Sequence, residues 1–283
     1  MPKVVCVTGG NKGIGFETVR LLCQKLNPAG DWQVVLAARS PERGEKAVET
    51  LKKERLPISP VYAQLHIRDK KECEALRDRI KQDYGGLDML VNNAAIGFKV
   101  STAVPLLEQL REILETNYFA TKQVTEVLLP ILRDNARVIT VASSLAELAF
   151  KEMNASTRRK MLAPDLTTEE LDQIMRKLIE DASNPETKNG LSCYGLSKAA
   201  VISWTRICAQ QAKEGRLPGL HAKNVFFSCC NPGWCKTDMA GWEKPPLSAA
   251  DGAAAVVDLC LNGTEEAMGK YLNNGVVVNP YVE

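Results

Sequence analysis

Short apolar runs alternate with longer amphipathic stretches along nearly the whole chain. Lys3 to Thr8 is Val-rich with no polar alternation, the pattern of a parallel strand buried on both faces. Comparable runs lie at 33–38, 61–67, 87–91, 137–142 and 224–230, with a final Val-rich run at 276–278. Between them, apolar residues recur at helical spacing, first at Ile14, Val19, Leu21, Leu22 and Leu26 and then across 41–55, 70–84, 106–132, 194–214 and 249–261. Strand and helix patterns in alternation predict an α/β fold: a doubly wound parallel sheet of about seven strands, with helices on both faces and ligands at the carboxyl ends of the strands.

The alternation breaks once, between Ser144 and Tyr194, which predicts an insertion over about 145–190. Thr167-x-x-Glu170 is a capping box, and the stripe Leu171, Ile174, Met175, Leu178 and Ile179 behind it predicts a helix packed on the body. Asn184-Pro185 and Asn189-Gly190 then supply turns. No Pro/Gly/Ser-rich linker divides the 283 residues, so one domain over 1–283 is expected.

Composition narrows the ligand. The net charge of +2 provides no nucleic-acid footprint, so a small molecule is the expected partner. No apolar stretch reaches the ~20 residues of a membrane span and no signal-peptide pattern opens the chain, so a soluble cytoplasmic protein is expected. Nine scattered cysteines lack metal-finger spacing and read as reduced, buried thiols. Cys229 and Cys230 with Cys235 do not make a zinc site, because neighbours in a strand point to opposite faces and no His is near. No metal is expected.

Three stretches carry chemistry. Gly9, Gly13 and Gly15 lie between an apolar strand and a helix, the context of a Rossmann-type dinucleotide-phosphate loop, with the free N–H groups of the helix start facing a pyrophosphate. The second strand ends in Arg39, where an acidic residue would accept from the ribose of NAD and an Arg instead pairs with the 2′-phosphate of NADP; Lys12 adds a second cation. NADPH is therefore the expected cofactor. Tyr194 and Lys198 stand four residues apart on one helical face, where an ammonium can draw the phenol pKa down and make a proton donor for a carbonyl oxygen.

Taken together, 8–15 (Thr-Gly-Gly-Asn-Lys-Gly-Ile-Gly), Asn92-Asn93-Ala94, Asn117, Ser144, Tyr194-x-x-x-Lys198 and Pro232-Gly233 resemble the short-chain dehydrogenase/reductase superfamily, in order and across nearly the whole chain. Gly10-Asn11-Lys12, the long insertion and the stretch 230–239 look closer still to the monomeric NADPH-dependent carbonyl reductases. The resemblance implies that Tyr194 is the general acid, that Ser144, with Ser143 as fallback, hydrogen-bonds the substrate carbonyl, and that Lys198 holds the nicotinamide ribose. It implies further that Asn117 fixes a proton-relaying water and that Trp234 lines the substrate pocket. The nucleotide would then lie along Gly9, Asn11, Lys12, Gly13, Ile14 and Gly15 of the loop, Arg39, His66 and Ile67 of the next two strand ends, Asn93 and Ala94, the Tyr194–Lys198 pair, and Pro232, Gly233 and Thr237. Two positions depart from the pattern: His66 stands where an Asp is common, and Ala95 replaces the usual Gly.

The resemblance also implies that the insertion covers the surface through which other members assemble, so a monomer is expected. The function implied is reduction of aldehydes, ketones or quinones with NADPH. A narrower reductase of a monoterpenoid or alkaloid ketone is the alternative within the class. A nucleotide-binding regulatory protein without turnover is the alternative outside it, and the intact Ser144, Tyr194 and Lys198 argue against that one.

Overall fold

The computed structural model describes residues 1–99, 102–181 and 192–280. Eight strands form one sheet: β1 (Lys3–Thr8), β2 (Trp32–Ala38), β3 (Val61–Gln64), β4 (Leu87–Asn92), β5 (Leu132–Val141), β6 (Phe226–Asn231), β7 (Tyr271–Asn273) and β8 (Val276–Val278). Their spatial order is β3-β2-β1-β4-β5-β6-β7-β8. All neighbours run parallel except β7 and β8, which close the edge as an antiparallel ribbon. The order reverses between β1 and β4, and a crevice at the carboxyl ends follows from that reversal.

Period two along a strand explains why the runs show no polar alternation. On β1, Val4 and Cys6 enter the core on one face while Val5 and Val7 enter the core on the other. On β2, Val35 and Ala37 take the first face, and Val34 and Leu36 the second. Each such buried aliphatic side chain contributes about 1.5–3 kcal/mol relative to exposure.

The helices α1 (Gly13–Lys25), α2 (Pro41–Lys53), α3 (Lys70–Tyr84), α4 (Leu106–Leu114) and α5 (Thr121–Leu128) follow the strand ends, with α9 (Cys193–Lys213) and α10 (Ala249–Asn262) later in the chain. Local chemistry sets several of their starts. The Ser40 side chain accepts from Arg43 N–H ahead of Pro41, and that of Asp69 accepts from Lys71 and Glu72 N–H. Ser248 and Asp251 close a capping box on α10. Between α4 and α5, Glu115–Ala120 is a π-helical turn, and Asn117 lies in it.

Among its described residues the insertion contains three helices rather than the one expected: α6 (Leu145–Glu152), α7 (Ala155–Leu162) and α8 (Thr168–Asp181). The first two are eight residues each, too short for a strong periodic signal. The Thr167–Glu170 box forms as expected, with Glu170 N–H donating to Thr167 Oγ1 and Thr167 N–H to Glu170 Oε2. Leu171 and Met175 are fully buried. Beside them α8 grips the π-helical turn and the start of α5: Tyr118 donates its hydroxyl to Asp172 at 2.7 Å, Lys122 pairs with the same carboxylate, and Arg176 lies over the Phe119 ring. The turns expected at Asn184-Pro185 and Asn189-Gly190 lie outside the described residues.

Candidate active site

The glycine loop is shaped by close approach. Gly9 and Gly13 hold φ values of +66° and +55°, which side-chain-bearing residues seldom adopt. A Cβ on Gly15 would meet the Gly9 carbonyl at 2.5 Å and the Asn93 amide. Thr8 ties this loop to the end of β4, its Oγ1 accepting from the N–H groups of both Asn93 and Ala94 at 3.0 Å. Asn93 returns the tie by donating from Nδ2 to the Thr8 carbonyl.

Behind the loop, α1 begins without a side-chain cap and with no acidic residue in its first turn. Its first N–H groups and partial positive charge are therefore open to an anion. Asn11 and Lys12 line an open groove of about 340 Å³ with Phe16, Arg43, Lys46, Ala47, Thr50 and Asp238. Arg39 is exposed at the end of β2. The donor set thus fits an anionic dinucleotide carrying an extra phosphate. Arg43 and Lys46 escaped the sequence reading, although they stand three residues apart and so share one side of α2.

His66 and Ile67 follow β3. Ile67 is buried, and its carbonyl accepts from Gln123 Nε2. The backbone N–H of His66 donates to Glu72, which fixes this turn against α3.

On the far side of the crevice, the loop after β6 folds back over the glycine loop. Gly233, at φ +82°, donates its N–H to Asn231 Oδ1 and directs the chain out past Pro232. A Cβ on Gly13 would touch Thr237 Cγ2 at 3.3 Å, so Thr237 borders the phosphate cradle. Lys12 and Asp238 join the two loops in an ion pair of 2.8 Å, whose hydrogen bond and charge lower the Asp238 pKa. Trp234 is 53% exposed and is no core residue. Met239 sits close to the tyrosine: a Cβ on Gly97 would contact Met239 at 3.2 Å and the Tyr194 ring at 3.5 Å.

Tyr194 and Lys198 lie in the first turns of α9, which Ser192 caps through Gly195 N–H. Lys198 is 3% exposed and donates from Nζ to the Val141 carbonyl at 2.7 Å. Its Nζ lies 5.5 Å from the centroid of the Tyr194 ring. Burial lowers the Lys198 pKa from 10.5 to about 8, so the ammonium persists at neutral pH but at a cost. Burial raises the Tyr194 pKa to about 12, contrary to the lowering expected from the sequence. The physical reason is that the ammonium is directed at Val141, and desolvation of the phenolate outweighs its field. Tyr194 is therefore a neutral phenol across the physiological range, with its proton in place.

Asn117 is buried where its π-helical turn meets α9. Its Oδ1 accepts from Ile96 N–H at 2.8 Å, and its Nδ2 donates to the Ile96 carbonyl at 2.9 Å and to Ser197 Oγ at 3.1 Å. Ser197 in turn donates to the Tyr194 carbonyl. Asn117 thereby locks the stretch after β4 to the helix of Tyr194 and Lys198. The widened turn is the local device that aims this side chain inward.

The two serines divide. Ser143 Oγ accepts from Leu145 N–H, whereas Ser144, exposed at the start of α6, makes no capping hydrogen bond. Gly195 permits the contact that brings α6 beside α9, since a Cβ there would lie 2.5 Å from the Leu145 carbonyl. Thr8, Gly97, Gly195, Ser197 and Met239 shape the crevice although the sequence assigned none of them a role of its own, because each acts through a contact between distant segments. Among the described residues no cluster of His, Cys, Asp and Glu could hold a metal ion, and no helix is long and apolar enough to cross a membrane.

Comparison with known proteins places this geometry in context. The chain is 41% identical over 276 residues to carbonyl reductase (NADPH) 1 of Rattus norvegicus, covering 96% of each chain. Its fold matches salutaridine reductase of Papaver somniferum with a TM-score of 0.80 at 28% identity, over 96% of this chain and 99% of the other. It also matches menthone neomenthol reductase of Mentha piperita with a TM-score of 0.77 at 27% identity, over the same shares. The short chain dehydrogenase family model matches residues 3–175. With the reversal of strand order, the glycine loop and the Tyr194–Lys198 helix in the same chain, the protein belongs to the short-chain dehydrogenase family.

Proposed function

We propose that the protein is an NADPH-dependent carbonyl reductase, acting on aldehydes, ketones or quinones. The observation that carries this reading is the Tyr194 phenol beside the buried Lys198 ammonium on α9, with α6 and its uncapped Ser144 packed against that helix at Gly195; the groove at the glycine loop, lined by Lys12, Arg43 and Lys46, agrees with it. The similarity to carbonyl reductase (NADPH) 1 along 96% of the chain supports it.

Bound NADPH would supply the hydride. The phosphates would rest on the start of α1 and the Gly9–Gly15 loop, the 2′-phosphate against Arg39 and its neighbouring cations, and the nicotinamide end beneath Pro232, Gly233 and Thr237. Ser144 holds the substrate oxygen by donating a hydrogen bond as negative charge grows on it. Tyr194 gives that oxygen its proton, and Lys198 stabilises the phenolate left behind. Asn117 holds α9 in register and positions a relaying water.

Trp234, Met239, Trp242, Leu145 and Leu148 are all substantially exposed; Met239 sits near Tyr194, and Leu145 and Leu148 lie on α6 behind Ser144. They favour a second reading, a narrow preference for a bulky apolar ketone. The similarity to salutaridine and menthone neomenthol reductases agrees with it. Residues 1–283 would act as one nucleotide-binding unit. A monomer is supported by the seating of α8 on the π-helical turn, and a cytoplasmic location by nine buried free thiols, which suit a reducing compartment.

The test follows NADPH absorbance against a quinone, an aromatic aldehyde and a cyclic monoterpene ketone, repeated with NADH and with Tyr194→Phe. Turnover with NADPH that Tyr194→Phe abolishes, while nucleotide still binds, is the expected outcome. Absence of turnover with every carbonyl despite NADPH binding would overturn the reading. A kcat/KM for the terpene ketone far above that for the quinone would select the narrower one.

A further inference from the structure

Among the described residues, three stretches have the composition of a capping box: Thr167-x-x-Glu170, Ser248-x-x-Asp251 and Ser144-x-x-Glu147. The first two close. Thr167 Oγ1 donates to Glu170 at 3.0 Å and Ser248 Oγ donates to Asp251 at 2.7 Å, so in each the hydroxyl proton belongs to the acid three residues on. The third does not. Ser144 makes no cap hydrogen bond, and Glu147 turns away to the sheet edge. There, Glu147 Oε1 accepts from the Tyr271 hydroxyl and from Asn273 Nδ2, both at 2.9 Å.

The donors that draw Glu147 away are themselves fixed. Tyr271 is 2% exposed, and burial with the adjacent Glu147 carboxylate raises its pKa, which keeps its proton on the donor side at any physiological pH. Asn273 Oδ1 accepts from Asn231 Nδ2 at 2.9 Å, and Asn231 Oδ1 receives Gly233 N–H. Amide orientation is therefore set by the whole chain of bonds, with the Asn273 amide nitrogen facing Glu147. A third contribution comes from Ser143, which occupies Leu145 N–H and so satisfies the start of α6 without Ser144.

We propose that Tyr271 and Asn273 are positioning residues for carbonyl reduction: they hold the Glu147 carboxylate off Ser144, so that the Ser144 hydroxyl proton stays available to the substrate oxygen. Without them, a carboxylate three residues along the same helical face would take that proton, as Glu170 and Asp251 do at their own helices. The inference rests on the reading that Ser144 contacts the substrate carbonyl. It assigns a role to β7, in which the sequence offered no candidate site residue.

The experiment is a cycle of variants in the full-length enzyme. Tyr271→Phe removes one donor, and Asn273→Asp replaces the other by a like charge while keeping the oxygen that Asn231 needs. The pair should lower kcat about five- to tenfold, the ratio set by one charge-assisted hydrogen bond of cap strength, and leave the NADPH Kd unchanged. Adding Glu147→Ala to the pair should restore kcat to within about threefold of the wild type, because the competing acceptor is gone. A merely structural role gives the opposite result, since a third substitution in a damaged region lowers kcat further. Tyr271→Phe alone, restored in the same way, serves if the paired variant does not fold. Unchanged kcat in the variants, or a loss that Glu147→Ala fails to reverse, overturns the proposal. Ser144→Ala separates the two layers: if it retains full kcat, the reading of Ser144 falls and takes the proposal with it. If it loses kcat while the cycle shows no rescue, only the proposal falls.

Discussion

Replacing Lys198 by methionine should make the nucleotide-free protein more stable at pH 7 and inactive, with a stability gain that shrinks as pH rises. Lys198 is 3% exposed, and burial lowers its pKa from 10.5 to about 8. A folded pKa below the unfolded one means that the unfolded chain binds the proton more tightly. Charging this lysine therefore opposes folding below about pH 8, and stability is recovered as pH rises from about 8 toward 10.5. Linkage with these two values gives a cost of about 3 kcal/mol at pH 7 and about 1.4 kcal/mol at pH 9.5. The difference between the two proteins should thus narrow by about 2 kcal/mol over that interval, while groups common to both cancel. Urea denaturation of wild type and Lys198→Met at the two pH values, under reducing conditions and without nucleotide, measures it. A difference constant within about 0.5 kcal/mol would refute the argument that burial dominates the Lys198 environment. Such a site stores the cost of desolvating an ammonium until an anionic ligand offsets it.

Arg39→Asp should weaken NADPH binding about ten- to a hundredfold and leave NADH binding nearly unchanged, as read by fluorescence titration; an unaltered preference would remove Arg39 from the phosphate site. Gly195→Ala should cost about 1–3 kcal/mol in urea denaturation, because its Cβ would lie 2.5 Å from the Leu145 carbonyl. Stabilisation, as helix propensity alone would give, would show that α6 can yield. Asn117→Ala strands the Ile96 amide and carbonyl and should cost about 2–4 kcal/mol as well as turnover. Full activity in that variant would exclude Asn117 from the proton path.

The strands β1, β2 and β4 and the helix α3 were legible because their signal is local: an apolar run buried on two faces, or a period of 3.6. The strand β7 was not. Tyr271-Leu272-Asn273 is extended only because β6 and β8 bond to its two sides, which no window of three residues reveals. The site divides along the same line. Tyr194, Lys198 and the glycine loop stand out by spacing, and Asn117 and Ser144 through the resemblance to the family's motif order. Gly195, Ser197, Met239 and Glu147 matter through a neighbour far along the chain, and the sign of the Tyr194 shift depends on where the Lys198 ammonium points.

All nine cysteines are free and buried, and burial raises the Cys6, Cys23 and Cys230 thiols to about 12. In the folded state these sulfurs are almost never thiolates, so they exchange and oxidise slowly. Unfolding returns each to an ordinary value of about 8.5, where a few per cent is thiolate at neutral pH. The native fold is thus the chain's own antioxidant. Once opened by heat in air, its thiols become available for disulfide formation, so recovery of the native fold after a heating cycle should be higher with a reductant than without one.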